Sequence, residues 1–151
     1  MDSANIALPV RKSFQVFLNI SYYFICLVLL VSGIAKIIDP SDLLNTLNPT
    51  LNFLDENIIV LIAAIISIFE ITVGLFLLLK IKVKESLVTT VFLFAVFTIF
   101  AVYGFIFGID GDCGCFGNIT NSGFDSGMII RNFVFLLMSI INLKYFKISL
   151  N

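Results

Sequence analysis

The sequence has no histidine and only three cysteines, Cys26, Cys113 and Cys115. Two neighbouring thiolates without an imidazole leave a tetrahedral metal site half empty. The inventory therefore argues against zinc or haem, and no metal is expected. Charge is scarce as well. Asp, Glu, Lys and Arg make up 13% of the chain, where water-soluble domains carry roughly 25%. Hydrophobic residues make up 60%, and the mean hydropathy is +1.10. A soluble fold of 151 residues could not hide so much apolar surface, but a bilayer accommodates it. There is no basic patch of the kind a nucleic-acid binder needs, and a net charge of −1 points to no partner. Without an internal repeat, low-complexity tract or linker, residues 1–151 read as one domain.

Four long apolar runs are present instead. A spanning helix needs about 20 mostly apolar residues. Ser13 to Ala35 and Ser86 to Ile109 carry no charge, Asn57 to Leu79 carries only Glu70, and Ser126 to Phe146 carries Arg131 and Lys144. The runs are continuous rather than alternating, as lipid-facing helices are. The expected fold is all-α: an integral membrane four-helix bundle with helices over about 14–38, 57–80, 85–109 and 126–146. The first run is longer than the apolar core of a signal peptide, about 7–15 residues, and is expected to be retained.

Orientation follows from lysine and arginine. Arg11 and Lys12, then Lys80, Lys82 and Lys84, then Lys144 and Lys147 all fall on one side. Asp39, Asp42, Asp55, Glu56, Asp110, Asp112 and Asp125 fall on the other. Both termini are therefore expected in the cytoplasm of a bacterial inner membrane. The loop bearing Cys113 and Cys115 then faces outside, where disulfides persist. Between the first two spans, Asp39-Pro40 reads as a helix start with a capping carboxylate. Leu43, Leu44 and Leu47 mark the apolar face of a short interfacial helix. Such a segment either covers the bundle as a connector or offers a docking surface.

The strongest chemical signal is Asp110-Gly-Asp-Cys-Gly-Cys-Phe-Gly117. Cys113 and Cys115 reach disulfide distance only if the backbone bends, and Gly114 gives it that freedom. A ring this small constrains almost nothing as a staple. Strained, exposed disulfides are the labile, catalytic kind. Cys113 and Cys115 are the candidate catalytic residues of a thiol–disulfide oxidoreductase, supported in the loop by Asp112, Gly114, Phe116 and Gly117. The other readings are an inert thiol pair and a metal site completed by aspartates. Asp110 and Asp112 disfavour the thiolate; Lys36 or Arg131 would offset them if either reaches the loop.

Lys36, Glu70, Arg131 and Asn132 are candidates for an intramembrane polar network. An ionisable group at a helix centre costs about 2.5–3.5 kcal/mol on insertion scales, which some twenty apolar neighbours outweigh. The expected arrangement is a Glu70–Arg131 pair inside the bundle, with Lys36 nearer the surface. The alternative is that Lys36 and Arg131 snorkel to the interface and Glu70 stays protonated. A polar seam should face inward through Cys26, Gly33 and Lys36, through Ser67, Glu70 and Gly74, and through Asn132 and Ser139. Gly33 and Gly74 would permit close helix contact, and Cys26 would simply pack. The seventeen phenylalanines read as lipid-facing or core residues and leave room for a membrane quinone among them.

Ser32-Gly33-Ile-Ala-Lys36-Ile-Ile-Asp39-Pro40, Glu70 with Gly74, Asp112-Cys-Gly-Cys-Phe-Gly117 and Arg131-Asn132 occur in this order. In them the chain resembles the methylamine-utilisation MauE family, within the wider DoxX-like group of four-helix membrane proteins. The Cys-Gly-Cys-Phe-Gly element is the most specific part. The resemblance implies a role in forming or maintaining disulfides outside the cytoplasm, alongside a thioredoxin-like partner. Cys113 and Cys115 would be the redox pair, and Lys36, Glu70 and Arg131 the family's intramembrane polar positions. A relative in the DoxX-like group that reacts with quinone keeps that electron carrier in view. The partner implied by the resemblance is the thioredoxin-like protein; the apolar runs add the lipid bilayer, and a homo-oligomer is left open. The rival functions are an assembly or scaffold subunit, and a small-solute or proton pathway built on Glu70.

Overall fold

The computed structural model describes residues 4–107 and 126–145. Among these there are five helices and no strand: α1 (Ala4–Ile38), α2 (Ser41–Thr50), α3 (Glu56–Leu78), α4 (Val83–Phe107) and α5 (Ser126–Lys144). All but α2 are long and apolar enough to cross a bilayer, over Lys12–Ile38, Glu56–Leu78, Val83–Phe107 and Gly127–Lys144. Their outer surfaces are apolar. Ile20, Leu27, Ile65, Phe92, Ile99 and Ile106 are all exposed, which suits a hydrocarbon solvent and not water.

The contacts fix the direction of each helix. Along α1, Lys36 meets Glu70, Gly33 meets Ile71, and Tyr22 meets Leu77, so α3 runs antiparallel to α1. Ser21 meets Asn142, and the rings of Phe24 and Phe135 touch, so α5 is also antiparallel to α1. The main core joins Tyr22, Ile25, Cys26 and Leu29 of α1 to Leu77 of α3, Leu87 and Phe94 of α4 and Phe135 of α5. Cys26 is a buried free thiol within it, placed for packing as expected.

Glycine sets how closely α1 approaches α3. A Cβ on Gly33 would lie 2.6 Å from Ile71 Cγ1 and 2.9 Å from the Ser67 carbonyl oxygen; one on Gly74 would lie 3.0 Å from Leu30 Cγ. These are the small residues expected at close membrane-helix contacts. Tyr22 then donates its hydroxyl to the Leu77 carbonyl oxygen at 2.6 Å, tying α1 to the C-terminal turn of α3 as a second donor beside the Lys80 amide.

α3 ends in a Schellman arrangement. The Ile81 amide bonds the Phe76 carbonyl at 2.8 Å, and the Lys80 amide bonds the Leu77 carbonyl at 3.0 Å. Such an ending needs a left-handed residue, usually glycine, yet Lys80 occupies it with φ 56°, followed by Lys82 at φ 44°. Lysines thus hold positions where glycine would be less strained. The lysine-rich turn and Lys144 stand at one end of the bundle; α2 and the acidic residues Asp39, Asp42, Asp55 and Glu56 stand at the other.

α2 covers that acidic end. Leu43 and Leu47 are buried against Ile59 and Ala63 of α3, with Leu44 packed alongside. The apolar face read from the sequence is therefore used inside the molecule. The expected capping by Asp39 is shifted by one position. Pro40 occupies the N-cap, and the Asp39 carboxylate, one residue earlier, accepts from the Ser41 amide at 3.1 Å and the Ser41 hydroxyl at 2.6 Å.

Candidate functional site

The described part of the site is built on α1 and α3. Ser32 and Lys36 lie four residues apart on α1, hence on one face of it. Their face meets Glu70, midway along α3. The Lys36 ammonium forms an ion pair with Glu70 Oε1 and donates to Ser32 Oγ at 3.0 Å. The Ser32 hydroxyl donates in turn to Glu70 Oε2 at 2.9 Å. Both carboxylate oxygens are thereby engaged by α1. The ammonium also lies 4.7 Å from the centroid of the Phe97 ring on α4, a cation–π contact. All three polar side chains are buried.

This corrects the expected pairing. Glu70 takes Lys36 and Ser32, not Arg131, and Lys36 is buried rather than placed near the surface. The reason is geometric. Side chains on a helix tilt toward its N-terminus. Lys36 sits at the C-terminal end of α1, so its chain runs back into the bundle toward Glu70. Arg131 sits near the N-terminal end of α5, where the same tilt gives no reach back toward Glu70, although its Nε is buried. Arg131 is half-buried, while its neighbour Asn132 is fully buried, as expected for the inward seam.

The seam is otherwise as anticipated: Ser67, Gly74 and Ser139 are buried. Ser67 and Ser139 bond back to carbonyls four residues earlier, at 2.8 Å each. The sequence reading missed the bridging role of Ser32 and the ring of Phe97 under the ammonium. The spacing of Ser32 and Lys36 held the first signal; nothing local held the second.

Two spaces flank the triad. A cavity of about 10 Å³ lies between α1, α4 and α5, with Ser32, Phe97 and Asn132 in its wall. A cleft of about 150 Å³ lies between α1, α2 and α3. Lys36 and Ser67 form its polar part, Leu44 and Ala63 its apolar walls, and exposed Ile37 and Val60 its rim. At the same end of the bundle, the Ser41 hydroxyl and then its amide hold the Asp39 carboxyl below the usual carboxylate range.

Cys113 and Cys115, with Asp112, Gly114, Phe116 and Gly117, lie outside the described residues. They belong to the segment between α4 and α5, whose flanking ends, Phe107 and Ser126, are at the acidic end of the bundle. Among the described residues no group of three His, Cys, Asp or Glu side chains could hold a metal ion.

In comparison with known proteins, the family model of methylamine utilisation protein MauE matches residues 14–145. Neither a curated protein nor a solved structure matches the chain.

Proposed function

The chain belongs to the MauE family of methylamine-utilisation proteins, and from that membership we propose that it is a membrane thiol–disulfide redox protein. In this reading Cys113 and Cys115 exchange electrons with a thioredoxin-like protein outside the cytoplasm, in support of disulfide formation or maturation of exported proteins. The carrying observation is the Cys-Gly-Cys element itself, in the segment joining α4 to α5. The excess of lysine at the opposite end supports an outward-facing loop in a bacterial inner membrane.

The chemistry is an exchange. A thiolate of one protein attacks a disulfide sulfur of the other and forms a mixed disulfide. The second thiol of the attacking pair then closes its own disulfide and releases the other protein as a dithiol. Two electrons and two protons pass from one pair to the other. The buried triad keeps α1 and α3 in register. A quinone would serve as the carrier within the bilayer. The cleft beside α2 would offer such a carrier apolar walls from Leu44 and Ala63, while the Lys36 ammonium and the Ser67 hydroxyl at its polar part are engaged by Glu70, Ser32 and the Ala63 carbonyl.

Thiol trapping of the membrane-embedded protein at controlled potential tests this reading. Cys113 and Cys115 should interconvert between a blocked disulfide and a doubly labelled dithiol, and Cys113→Ser/Cys115→Ser should abolish complementation. A fully active double variant would instead favour an assembly subunit. That rival draws on the way α2 and the ion pair serve the packing of the bundle.

A further inference from the structure

Asn132 poses a problem that packing alone does not answer. Its side chain is buried, with 1% of its surface exposed. Among the described residues neither Nδ2 nor Oδ1 has a hydrogen-bond partner. A buried amide left unsatisfied costs about 1–3 kcal/mol per lost partner. Serine, threonine and leucine are all available as alternatives that would fill an α5 position without that cost. The amide borders a cavity of about 10 Å³ whose wall also holds Ser32, Phe94, Phe97 and Phe135. That is close to the room a single water needs, and a buried water also needs two or more polar partners.

We propose that this cavity is a binding site for one water molecule, held by Asn132 and joined through it to the Lys36–Ser32–Glu70 triad. The chemistry of Ser32 favours the link. Its hydroxyl donates to Glu70 and accepts from Lys36, and a hydroxyl oxygen has a second lone pair. The water donates to that lone pair and meets the Asn132 amide on its other side. Whichever way the amide is turned, water can partner it, because water both donates and accepts. The consequence is architectural. The triad by itself involves α1 and α3, with Phe97 contributed by α4. The water brings in α5, so that all four spanning helices meet at one polar centre. Asn132 is thus a positioning residue for the ion pair.

The test is radiolytic hydroxyl-radical footprinting of the full chain in lipid nanodiscs, in which radicals born from a bound water oxidise the side chains that touch it. Phe94 and Phe135 line the cavity and are buried from bulk solvent. Tyr22 is equally buried and lies about 15 Å further along α1 from Ser32, by helical rise, so it serves as the internal reference. The expected result is oxidation of Phe94 and Phe135 above Tyr22 in the wild type, lost in Asn132→Leu. Val28→Ile leaves Asn132 in place but fills the cavity from α1, and should lose the signal too. This variant decides the matter if Asn132→Leu does not fold. Oxidation of Phe94 and Phe135 no higher than that of Tyr22 in the wild type overturns the proposal. So does labelling that survives in folded variants.

Discussion

Removing Lys36 should destabilise the protein more than removing Lys36 and Glu70 together. In Lys36→Met, Glu70 keeps the Ser32 hydroxyl at 2.9 Å but loses the cation it pairs with among the described residues, in a site with none of its surface exposed. Breaking a buried pair by removing one partner costs about 3–5 kcal/mol. The separate cost of an unpaired charge at mid-membrane depth, about 2.5–3.5 kcal/mol on insertion scales, is of similar size. Glu70→Leu leaves the Lys36 ammonium with Ser32 and the Phe97 ring, and the same range applies. Lys36→Met/Glu70→Leu removes both charges and fills the space with apolar atoms, which is often near neutral. Ser32 can then return its hydroxyl to a carbonyl of its own helix. The double variant should therefore lie within about 2 kcal/mol of the wild type, and above either single variant. The assay is a double-mutant cycle read by reversible unfolding in nanodiscs. If the two single effects simply add, the pair contributes no coupling and the reasoning is refuted.

Gly33→Ala should cost about 1–3 kcal/mol as overpacking, because the new methyl meets Ile71 Cγ1 at 2.6 Å and the Ser67 carbonyl at 2.9 Å. An unfolding curve matching the wild type would show that the helices part without penalty. Lys80→Gly should stabilise by about 1 kcal/mol by relieving a left-handed lysine, whereas Lys80→Ala should not; the same unfolding assay separates them. Acid should loosen the start of α2. The folded Asp39 carboxyl titrates below its unfolded value, so its contribution is present above the unfolded value and lost as pH falls through the folded one. The protection factor of the Ser41 amide, referred to its intrinsic exchange rate at each pH, should fall across that acidic window in the wild type and already be low at neutral pH in Asp39→Ala; equal protection in both would count against the contact.

Hydropathy was enough to place the spanning helices, because a bilayer demands long apolar runs whatever their neighbours. The spacing of polar and small residues also identified the inward seam. Gly33, Ser67, Glu70, Asn132 and Ser139 are all buried as expected, since polar groups in such helices avoid lipid. Leu43 and Leu47 likewise marked the face of α2 that packs inward.

What the sequence left open was which charges meet. One-dimensional patterning gives each helix a polar face but neither its rotation nor its depth against another helix. The close contact at Gly33 sets α1 against α3 so that Lys36 descends to Glu70. The N-terminal tilt of helical side chains carries Lys36 back toward Glu70 from the end of α1. The ring of Phe97 beneath the ammonium comes from a third helix, and no local signal connects it to Lys36. The chemistry of the ion pair was therefore decided by helix register, a property that exists only once the helices have packed.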